Sequence, residues 1–360
     1  MGCLAQIQRF RPNRAGINRP RNAQKMDPLE MDRITKSLRP EALRCFQILS
    51  LSFSLFFSAT KIRFSTFVFM KLGAIDVGSN AMRVLIGEVT KPVGKWHYSK
   101  IAYLRLPVRL GEEVFEKGKI SDEKIEKFVE GMRIFKNYLD FYGVSDYRAV
   151  ATSAMRDSSN AKKIIQRVKK ELGITLEVIT GKEEAELVYL TFQLIPDLKM
   201  NYVLLDVGGG STEITLFQDN KVHAAKSFQI GSVRLLKNKV SKKSWTEVHE
   251  WLASEILPFK PARVFGSGGT INSVHKVLGK QDKTPVDLLE MKTLQAQLEP
   301  LSIEERIYQF KIKPDRADVI GPAMEIYIKM MQSLGLDQIY VPKMGLSDGM
   351  MLDLYREKTL

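Results

Sequence analysis

Two glycine-rich stretches carry the residues of this sequence that are best suited to chemistry. Residues 206–213 are Asp-Val-Gly-Gly-Gly-Ser-Thr-Glu, and residues 76–80 are Asp-Val-Gly-Ser-Asn. An apolar run before each stretch and an alternating apolar and polar run after it predict two strands joined by a tight turn. Glycines let the backbone approach an anion closely, and successive N–H groups bind phosphate oxygens. Each stretch therefore predicts a phosphate loop, although either one alone would also fit an ordinary hairpin.

The carboxylates of the longer stretch indicate a metal ion. Asp206 and Glu213 flank its three glycines. Two carboxylates beside a phosphate group would repel it unless a hard divalent cation, which prefers oxygen ligands, lay between them. The stretch therefore predicts Mg²⁺ bound together with a polyanion.

The two stretches share one design. Each has an apolar run, then Asp-Val-Gly and two further short residues, then a strand pattern. Such an internal repeat predicts a duplicated fold with one phosphate loop in each half, the two loops facing each other across a cleft.

Three further segments offer candidate site residues. Gly266-Ser267-Gly268-Gly269-Thr270 follows an apolar strand pattern and opens a helix. Both the glycine loop and the helix N-terminus would therefore offer backbone N–H groups to a phosphate. Arg156 follows a predicted strand at its carboxyl end, where ligands gather in α/β sheets. The residues alone leave Arg156 either a phosphate ligand or a surface charge. Glu184 lies in a charged run that opens a helix, a pattern typical of a solvated helix start.

The composition is that of a globular protein with a basic excess. Apolar residues make up 44% and charged residues 27% of the chain, which are ordinary values. The net charge is +14, but residues 1–69 alone hold 12 Lys and Arg against 4 Asp and Glu. A basic excess fits a polyanionic ligand and does not select nucleic acid over polyphosphate.

Both cysteines, Cys3 and Cys45, lie in that first segment, which excludes thiol chemistry and disulfides from the remainder. The four histidines lack zinc-site spacing.

The first 69 residues differ from the rest. Residues 1–44 are rich in Arg, Asn, Gln and Pro, a composition typical of disorder. The apolar run over residues 45–60 is short for a membrane-spanning helix. Met70 directly precedes the first predicted strand, so we expect translation to begin there. Residues 1–69 are accordingly expected to be disordered or a mis-assigned N-terminal extension.

Strands and helices alternate from Leu72 onwards, which predicts parallel pairing and an α/β fold. Outside the glycine-rich loops, the predicted strands cover residues 72–76, 83–89, 101–109, 147–154, 175–179, 222–228 and 338–341. The predicted helices cover residues 121–142, 160–172, 315–334 and 347–360, with another opening at residue 181 and a capping box at residues 302–305. We expect one domain over residues 70–182 and a second over 183–360, with the last helix returning to the first.

Seven motifs in this order resemble the exopolyphosphatase and guanosine pentaphosphate phosphohydrolase (Ppx/GppA) family. They are residues 76–80, 152–156, 181–185, 206–213, 231–235, 266–270 and 316–320. The resemblance covers Met70 to the C-terminus. It implies the actin-like ATPase superfold, in which two duplicated ribonuclease-H-like domains surround a cleft, in agreement with the internal repeat.

Carried over residue by residue, the resemblance implies a catalytic base, a metal site and three phosphate loops. Glu184 matches the base that orients or deprotonates the attacking water. The acidic positions around Mg²⁺ or Mn²⁺ match Asp76, Asp206 and Glu213. The phosphate-binding positions match Gly78, Ser79, Asn80, Arg156, Gly208, Gly209, Gly210, Ser211, Thr212, Gly268, Gly269 and Thr270. A carboxylate in a cleft beside polyphosphate should have a raised pKa, which suits a base near neutral pH.

The resemblance implies an exopolyphosphatase that releases terminal phosphate from inorganic polyphosphate. A guanosine pentaphosphate (pppGpp) 5′-phosphohydrolase with the same residues is the first alternative, and a small-molecule kinase or a non-catalytic nucleotide sensor is another. The first loop has Ala81 where the family usually has a hydroxyl residue, and the extra C-terminal domains of longer bacterial members are absent, which favours short polyphosphate or pppGpp. We expect a cytoplasmic enzyme that forms a homodimer and that, over residues 70–360, binds neither nucleic acid nor membranes.

Overall fold

The computed structural model describes residues 70–90, 97–144, 146–192, 195, 200–219 and 221–359. These described residues form one compact unit. The predictions for residues 1–69 lie outside the described residues. Among the described ranges, no helix combines the length and the apolar character needed to cross a bilayer.

The chain alternates between strands and helices. The strands are β1 (Met70–Val77), β2 (Met82–Thr90), β3 (His97–Leu106), β4 (Asp146–Ala151), β5 (Leu176–Val178), β6 (Tyr202–Val207), β7 (Thr212–Gln218), β8 (Lys221–Phe228), β9 (Arg263–Ser267), β10 (Val286–Asp287) and β11 (Gln338–Tyr340). The α-helices are α1 (Leu110–Lys117), α2 (Asp122–Phe141), α3 (Ser153–Asp157), α4 (Ala161–Leu172), α5 (Gly181–Phe192), α6 (Ser232–Leu236), α7 (Lys242–Trp251), α8 (Gly269–Val277), α9 (Leu288–Leu298), α10 (Ile303–Phe310), α11 (Ile320–Leu334) and α12 (Leu346–Thr359). Short π and 3₁₀ turns cover Leu252–Ile256, Leu257–Phe259 and Pro314–Arg316.

Two sheets repeat one topology. The first has the order β3-β2-β1-β4-β5, and the second has β10-β11-β9-β6-β7-β8. In both, an antiparallel three-stranded meander is followed by two parallel strands, so β1, β2, β3, β4 and β5 match β6, β7, β8, β9 and β11. The predicted fold of two duplicated ribonuclease-H-like sheets is confirmed by this match.

A separate apolar core joins the two sheets. Its members include Leu72 of β1, Val188 of α5, Leu204 of β6 and Met350 of α12, all buried. Helix α12 packs against both α5 and β1. Because α5 also links the last strand of the first sheet to the first strand of the second, its N-terminal turn is fixed between the sheets. The predicted domain boundary at residues 182 and 183 stays a prediction.

Two predicted elements were wrong in detail, and one helix was missed. The strand expected over residues 147–154 ends at Ala151 and continues as the short helix α3. The helix expected from residue 315 begins at Ile320, because Pro322 lacks an N–H and fits only the first turn of a helix. Helix α1 was not predicted. By contrast, Ser121 caps α2 by accepting a hydrogen bond from the Lys124 N–H, as its sequence predicts.

Candidate active site

The two predicted phosphate loops touch each other. A Cβ atom built on Gly209 would lie 2.9 Å from the Cβ of Ser79 and 3.5 Å from the backbone nitrogen of Asn80. A residue larger than glycine at position 209 would push the loops apart. The two halves of the repeat therefore bring their glycine turns into one site.

Both loops use the same backbone turn. Gly78 N–H donates to the carbonyl of Ala81 at 3.1 Å, and Gly208 N–H donates to the carbonyl of Ser211 at 2.9 Å. Since the turns follow the matching strands β1 and β6, the repeat extends from the sheets to the loops that carry the chemistry.

A cavity of about 500 Å³ opens beside the paired loops. Twelve of the sixteen predicted site residues line it. They are Asp76, Gly78, Ser79, Asn80, Glu184, Asp206, Gly208, Gly209, Ser211, Gly268, Gly269 and Thr270. The remaining four, Arg156, Gly210, Thr212 and Glu213, lie outside its wall.

The third glycine loop approaches Asp206 from the start of α8. Gly268 has φ of 105°, a conformation that favours glycine. A Cβ there would lie 3.1 Å from Oδ1 of Asp206. Glycine thus allows the N-terminus of α8 to border the cavity next to a carboxylate, and helix N-termini bind anions.

The two aspartates of the repeat occupy matching positions, next to last in β1 and β6. Asp76 accepts a hydrogen bond from Arg83 at 2.7 Å. The pKa of Asp206 is raised to about 7 by burial and then by the negative charges of Glu213 and Asp76, whose effects exceed the lowering effect of Arg83. Around Asp206, the effect of the acidic side chains therefore exceeds that of the basic one.

Glu184 lies in the first turn of α5, and its side chain is only 12% exposed. Its Oε2 atom is 3.2 Å from Nη1 of Arg156. Burial, and then repulsion by Glu213, hold the pKa of Glu184 well above its usual value, while Arg156 acts in the opposite direction. A carboxylate with a raised pKa can accept a proton efficiently near neutral pH.

Three predicted site residues outside the cavity wall have internal roles in the structure. Thr212 donates its hydroxyl to the carbonyl of Ile230 at 2.5 Å. Glu213 is 3% exposed and accepts a hydrogen bond from the Ser227 hydroxyl at 2.7 Å. Gly210 has no room for a side chain. Their predicted contacts with phosphate or metal stay predictions.

One wall of the cavity is basic. Its cations are Arg83, Lys100, Arg105, Arg316 and Lys343. Arg83 and Arg105 are direct cross-strand neighbours on β2 and β3, and Asp76 is the neighbour of Arg83 on β1. Arg105 is bound by Asp315 at 2.5 Å. The sheet register thus lines up two guanidinium groups beside the first phosphate loop.

Arg316 differs from the other cations of this wall, because it makes no ion pair with any residue that the structure describes. Its Nη1 atom donates to the Ser273 hydroxyl at 2.7 Å. A Cβ on Gly269 would lie 2.6 Å from its Nη2 atom, so the guanidinium group packs on the first turn of α8. Burial lowers the pKa of Arg316 to about 10, and repulsion by Arg105 and Arg83 contributes. A partly buried cation of this kind would be stabilised by a bound anion.

Tyr103 adds an aromatic ring to the same wall. It lies opposite Leu85 in the pairing of β2 and β3, and both residues line the cavity. Unlike the buried Leu85, Tyr103 is 51% exposed. The ring is therefore free to contact a ligand.

The carboxylates of the cavity fit a magnesium ion that is shared with a substrate. Asp76 and Asp206 offer the oxygen ligands that Mg²⁺ prefers. In the part of the chain that the structure describes, no group of three or more His, Cys, Asp or Glu side chains is arranged to hold a metal ion. Magnesium usually binds through one or two carboxylates together with substrate phosphates rather than in a cage of protein ligands. The two carboxylates Asp76 and Asp206 agree with binding of Mg²⁺ together with substrate phosphates.

The basic wall was missed by the sequence analysis. Arg316 lies within one of the seven motifs but was assigned no role. Arg83, Tyr103 and Arg105 were assigned only to strands. One signal was present: Arg83, Tyr103 and Arg105 alternate with apolar neighbours along their strands, so each side chain points to the opposite face of the sheet from those neighbours. Which residues meet across the strands depends on register, which the sequence does not show.

Comparison with known proteins agrees with this geometry. One relative is the bifunctional 3-dehydroquinate synthase/phosphatase of Fusobacterium nucleatum, which is 29% identical over 74% of this chain and 44% of its own length. Exopolyphosphatase 2 of Mycobacterium tuberculosis is 29% identical over 79% of this chain and 98% of its own length. The crystal structure of the Aquifex aeolicus Ppx/GppA family member is 27% identical, covers 81% of this chain and 99% of that chain, and has a TM-score of 0.65.

The sequence model of the Ppx/GppA phosphatase family matches residues 91–358. That range contains both the second and third glycine loops and Glu184, and the first loop completes the same cavity. The chain belongs to the Ppx/GppA phosphatase family.

Proposed function

We propose that this protein hydrolyses the terminal phosphoanhydride bond of inorganic polyphosphate, with Mg²⁺ or Mn²⁺ bound at Asp76 and Asp206. The observation that carries the proposal is the contact between Ser79 and Gly209, which brings two phosphate loops together in one cavity that Glu184 also lines. Family membership and the exopolyphosphatase relative support it.

The terminal phosphate is bound by the paired loops. Backbone N–H groups of residues 79–80 and 209–211, together with the first turn of α8, supply donors for its oxygens. Arg316 neutralises charge on the neighbouring phosphates of the chain. Phosphoryl transfer depends mainly on such positioning and charge stabilisation.

Glu184 acts as the general base. Its carboxylate accepts a proton from a water molecule, whose oxygen forms a bond to the terminal phosphorus atom. The bond between that phosphorus and the bridging oxygen breaks, and the shortened chain leaves with the electron pair. Arg156 holds the Glu184 carboxylate in place through the 3.2 Å ion pair.

A bound Mg²⁺ would neutralise charge on the phosphate oxygens as a Lewis acid. Asp76 and Asp206 are the residues that would hold it. Burial and then the neighbouring carboxylates raise the pKa of Asp206 to about 7, and a cation bound beside it would favour its ionised form. Glu213 stays a proposed ligand that acts with them.

The second candidate substrate is pppGpp, and Tyr103 is the observation that favours it. A half-exposed ring beside arginines can stack on a nucleobase, whereas inorganic polyphosphate has no aromatic group for it to contact. The reaction at the terminal 5′ phosphate would use the same loops and the same base.

The experiment is a phosphate-release assay of the full chain with tripolyphosphate, long-chain polyphosphate, pppGpp and ATP in the presence of Mg²⁺. We expect release from polyphosphate, pppGpp or both. Binding of all four without release would indicate a sensor, and transfer of phosphate to an added small molecule would indicate a kinase. Negligible release from polyphosphate beside rapid release from pppGpp would reverse the order of the two substrates.

Other expectations are proposals of the same kind. We place the reaction in the cytoplasm and expect a homodimer with no affinity for nucleic acid. We retain residues 70–182 and 183–360 as domains, with the last helix packed on the first. Sedimentation of the full chain, alone and with an RNA oligonucleotide, tests the dimer and the absence of nucleic-acid binding.

A further inference from the structure

The segment after β8 rests directly on the second phosphate loop. Ser232 N–H donates to the carbonyl of Gly208 at 3.0 Å, and Val233 N–H donates to the carbonyl of Gly209 at 2.8 Å. A phosphate loop binds an anion only when its N–H groups, rather than its carbonyl oxygens, face the ligand. The first turn of α6 therefore occupies the carbonyl side of this loop.

Gly231 permits this close approach. A Cβ atom at position 231 would collide with the backbone of Gly209 and Gly210. The contact between α6 and the loop is thus one of backbone against backbone, and it leaves the carbonyl groups of Gly208 and Gly209 little freedom to rotate.

Arg234 completes the arrangement with its side chain. Its Nε atom donates to the carbonyl of Gly210 at 2.6 Å. Its Nη2 atom forms an ion pair with Asp157, and its guanidinium carbon lies 4.1 Å from the centre of the Phe115 ring. The side chain is only 11% exposed. A planar guanidinium group can satisfy all three contacts at once, which a lysine ammonium group cannot.

The Asp157 end of this contact reaches the proposed base. Asp157 is the last residue of α3, and the preceding residue, Arg156, pairs with Glu184. Arg234 therefore links the loop that would bind the phosphate to the short helix that orients Glu184. The loop follows a strand of the second sheet, and α3 follows a strand of the first.

Resting on the proposed function, we propose that Arg234 is a positioning residue. It holds the Gly210 carbonyl away from the bound phosphate and fixes the distance between the second phosphate loop and α3. Loss of its side chain would let that carbonyl turn toward the ligand and would loosen the Arg156 and Glu184 pair.

Lys237 provides a matched control. It lies one residue beyond α6, and its Nζ atom is 3.3 Å from a carboxylate oxygen of Glu116, so it also connects the two sheets. Among the described residues, its side chain forms no hydrogen bond or ion pair with the loop or with α3. A general effect of weakening the contact between the sheets would appear in Lys237→Ala as well as in Arg234→Ala.

The experiment compares Arg234→Ala, Arg234→Lys, Asp157→Asn and Lys237→Ala in the full chain. We measure kcat, KM and the melting temperature, and we measure orthophosphate binding by calorimetry. We expect Arg234→Ala to weaken orthophosphate binding and to lower kcat, each about 10-fold or more. Arg234→Lys should recover part of both, and Asp157→Asn, which keeps the Gly210 bond, should retain orthophosphate binding. Lys237→Ala should keep wild-type values.

Equal losses in Arg234→Ala and Lys237→Ala would overturn the inference, as would unchanged orthophosphate binding and kcat in Arg234→Ala. Absence of phosphate release from every substrate by the wild type would overturn the proposed function instead. In that case orthophosphate binding still decides whether Arg234 positions the loop. A wild type that neither releases phosphate nor binds orthophosphate would overturn both.

Discussion

Arg156 Nη1 lies 3.2 Å from Glu184 Oε2, and the same nitrogen donates to the carbonyl of Ile179 at 2.7 Å. The guanidinium group is thus bound to the strand end that precedes α5 and to the carboxylate on its first turn. Since Arg156 does not line the cavity, its position fits the orientation of the base better than direct contact with phosphate.

Glu184→Gln removes the proposed base and keeps the shape of the side chain. We expect kcat to fall about 10²- to 10⁴-fold, the usual contribution of general base catalysis, with little change in KM. Phosphate release under saturating substrate measures this. Glu186→Gln on the same helix is the control, because its side chain is 59% exposed and outside the cavity. Full activity in Glu184→Gln would refute the proposed mechanism.

Arg156→Ala should move the acidic limb of the pH profile of kcat/KM to higher pH. The base must be deprotonated, and Arg156 lowers the pKa of Glu184 against the upward effects of burial and Glu213. Without Arg156 that pKa rises, so activity is lost first at low pH and recovers as the pH increases. Arg156→Lys keeps the charge and should shift the limb less. A uniform loss at every pH would instead indicate a phosphate ligand.

The glycine loops and their aspartates could be predicted because their chemistry is local. Glycine, a carboxylate and the strands around them are adjacent in sequence, and the repeat of residues 76–80 in 206–210 predicts a pair. Glu184 came from the family resemblance, because a charged helix start is normally solvated. Only the packing of α5 between the sheets shows why the Glu184 side chain is mostly buried while Lys182 and Glu183 beside it are exposed.

The basic wall could not be predicted, because it depends on contacts across the fold. Arg83 and Arg105 meet through the register of β2 and β3, and Arg316 reaches the start of α8 from the turn before α11. The expected helix from residue 315 would have placed Arg316 within a regular helix. In the structure, Pro322 delays that helix and leaves Arg316 in a short 3₁₀ turn that lines the cavity.

Arg316→Ala should weaken binding of the polyanionic substrate. Hydrogen bonds to charged groups contribute about 1.5–3 kcal/mol, so KM should rise about 10- to 100-fold while kcat changes less. Lys313→Ala removes the same charge at an exposed position of the same turn and should have no effect. Steady-state kinetics with tripolyphosphate at constant ionic strength measures both. Equal changes in KM in the two variants would show that the overall positive charge of the protein, rather than a contact of Arg316 with the substrate, determines binding.

Removal of divalent cations with EDTA should reduce phosphate release to background, and added Mg²⁺ should restore it. Asp206→Asn should raise the Mg²⁺ concentration needed for half-maximal activity by at least about 10-fold, since even the groups that support metal ligands affect affinity by 10- to 100-fold. Asp219→Asn, at the turn after β7, is a distant control. Mg²⁺ dependence that is unchanged in Asp206→Asn would place the metal elsewhere.

Tyr103→Ala should separate the two candidate substrates. Stacking of a base on an aromatic ring contributes about 1–3 kcal/mol, so kcat/KM for pppGpp should fall about 5- to 150-fold if the guanine contacts this ring. Hydrolysis of tripolyphosphate, which has no base, should be unchanged. Tyr103→Phe keeps the ring and should behave as the wild type with both substrates. Tyr103 is half exposed at the wall, and Arg316 lies partly buried beside the same cavity. A loss of activity with tripolyphosphate as well would therefore mean that the ring supports the arginines rather than a nucleobase.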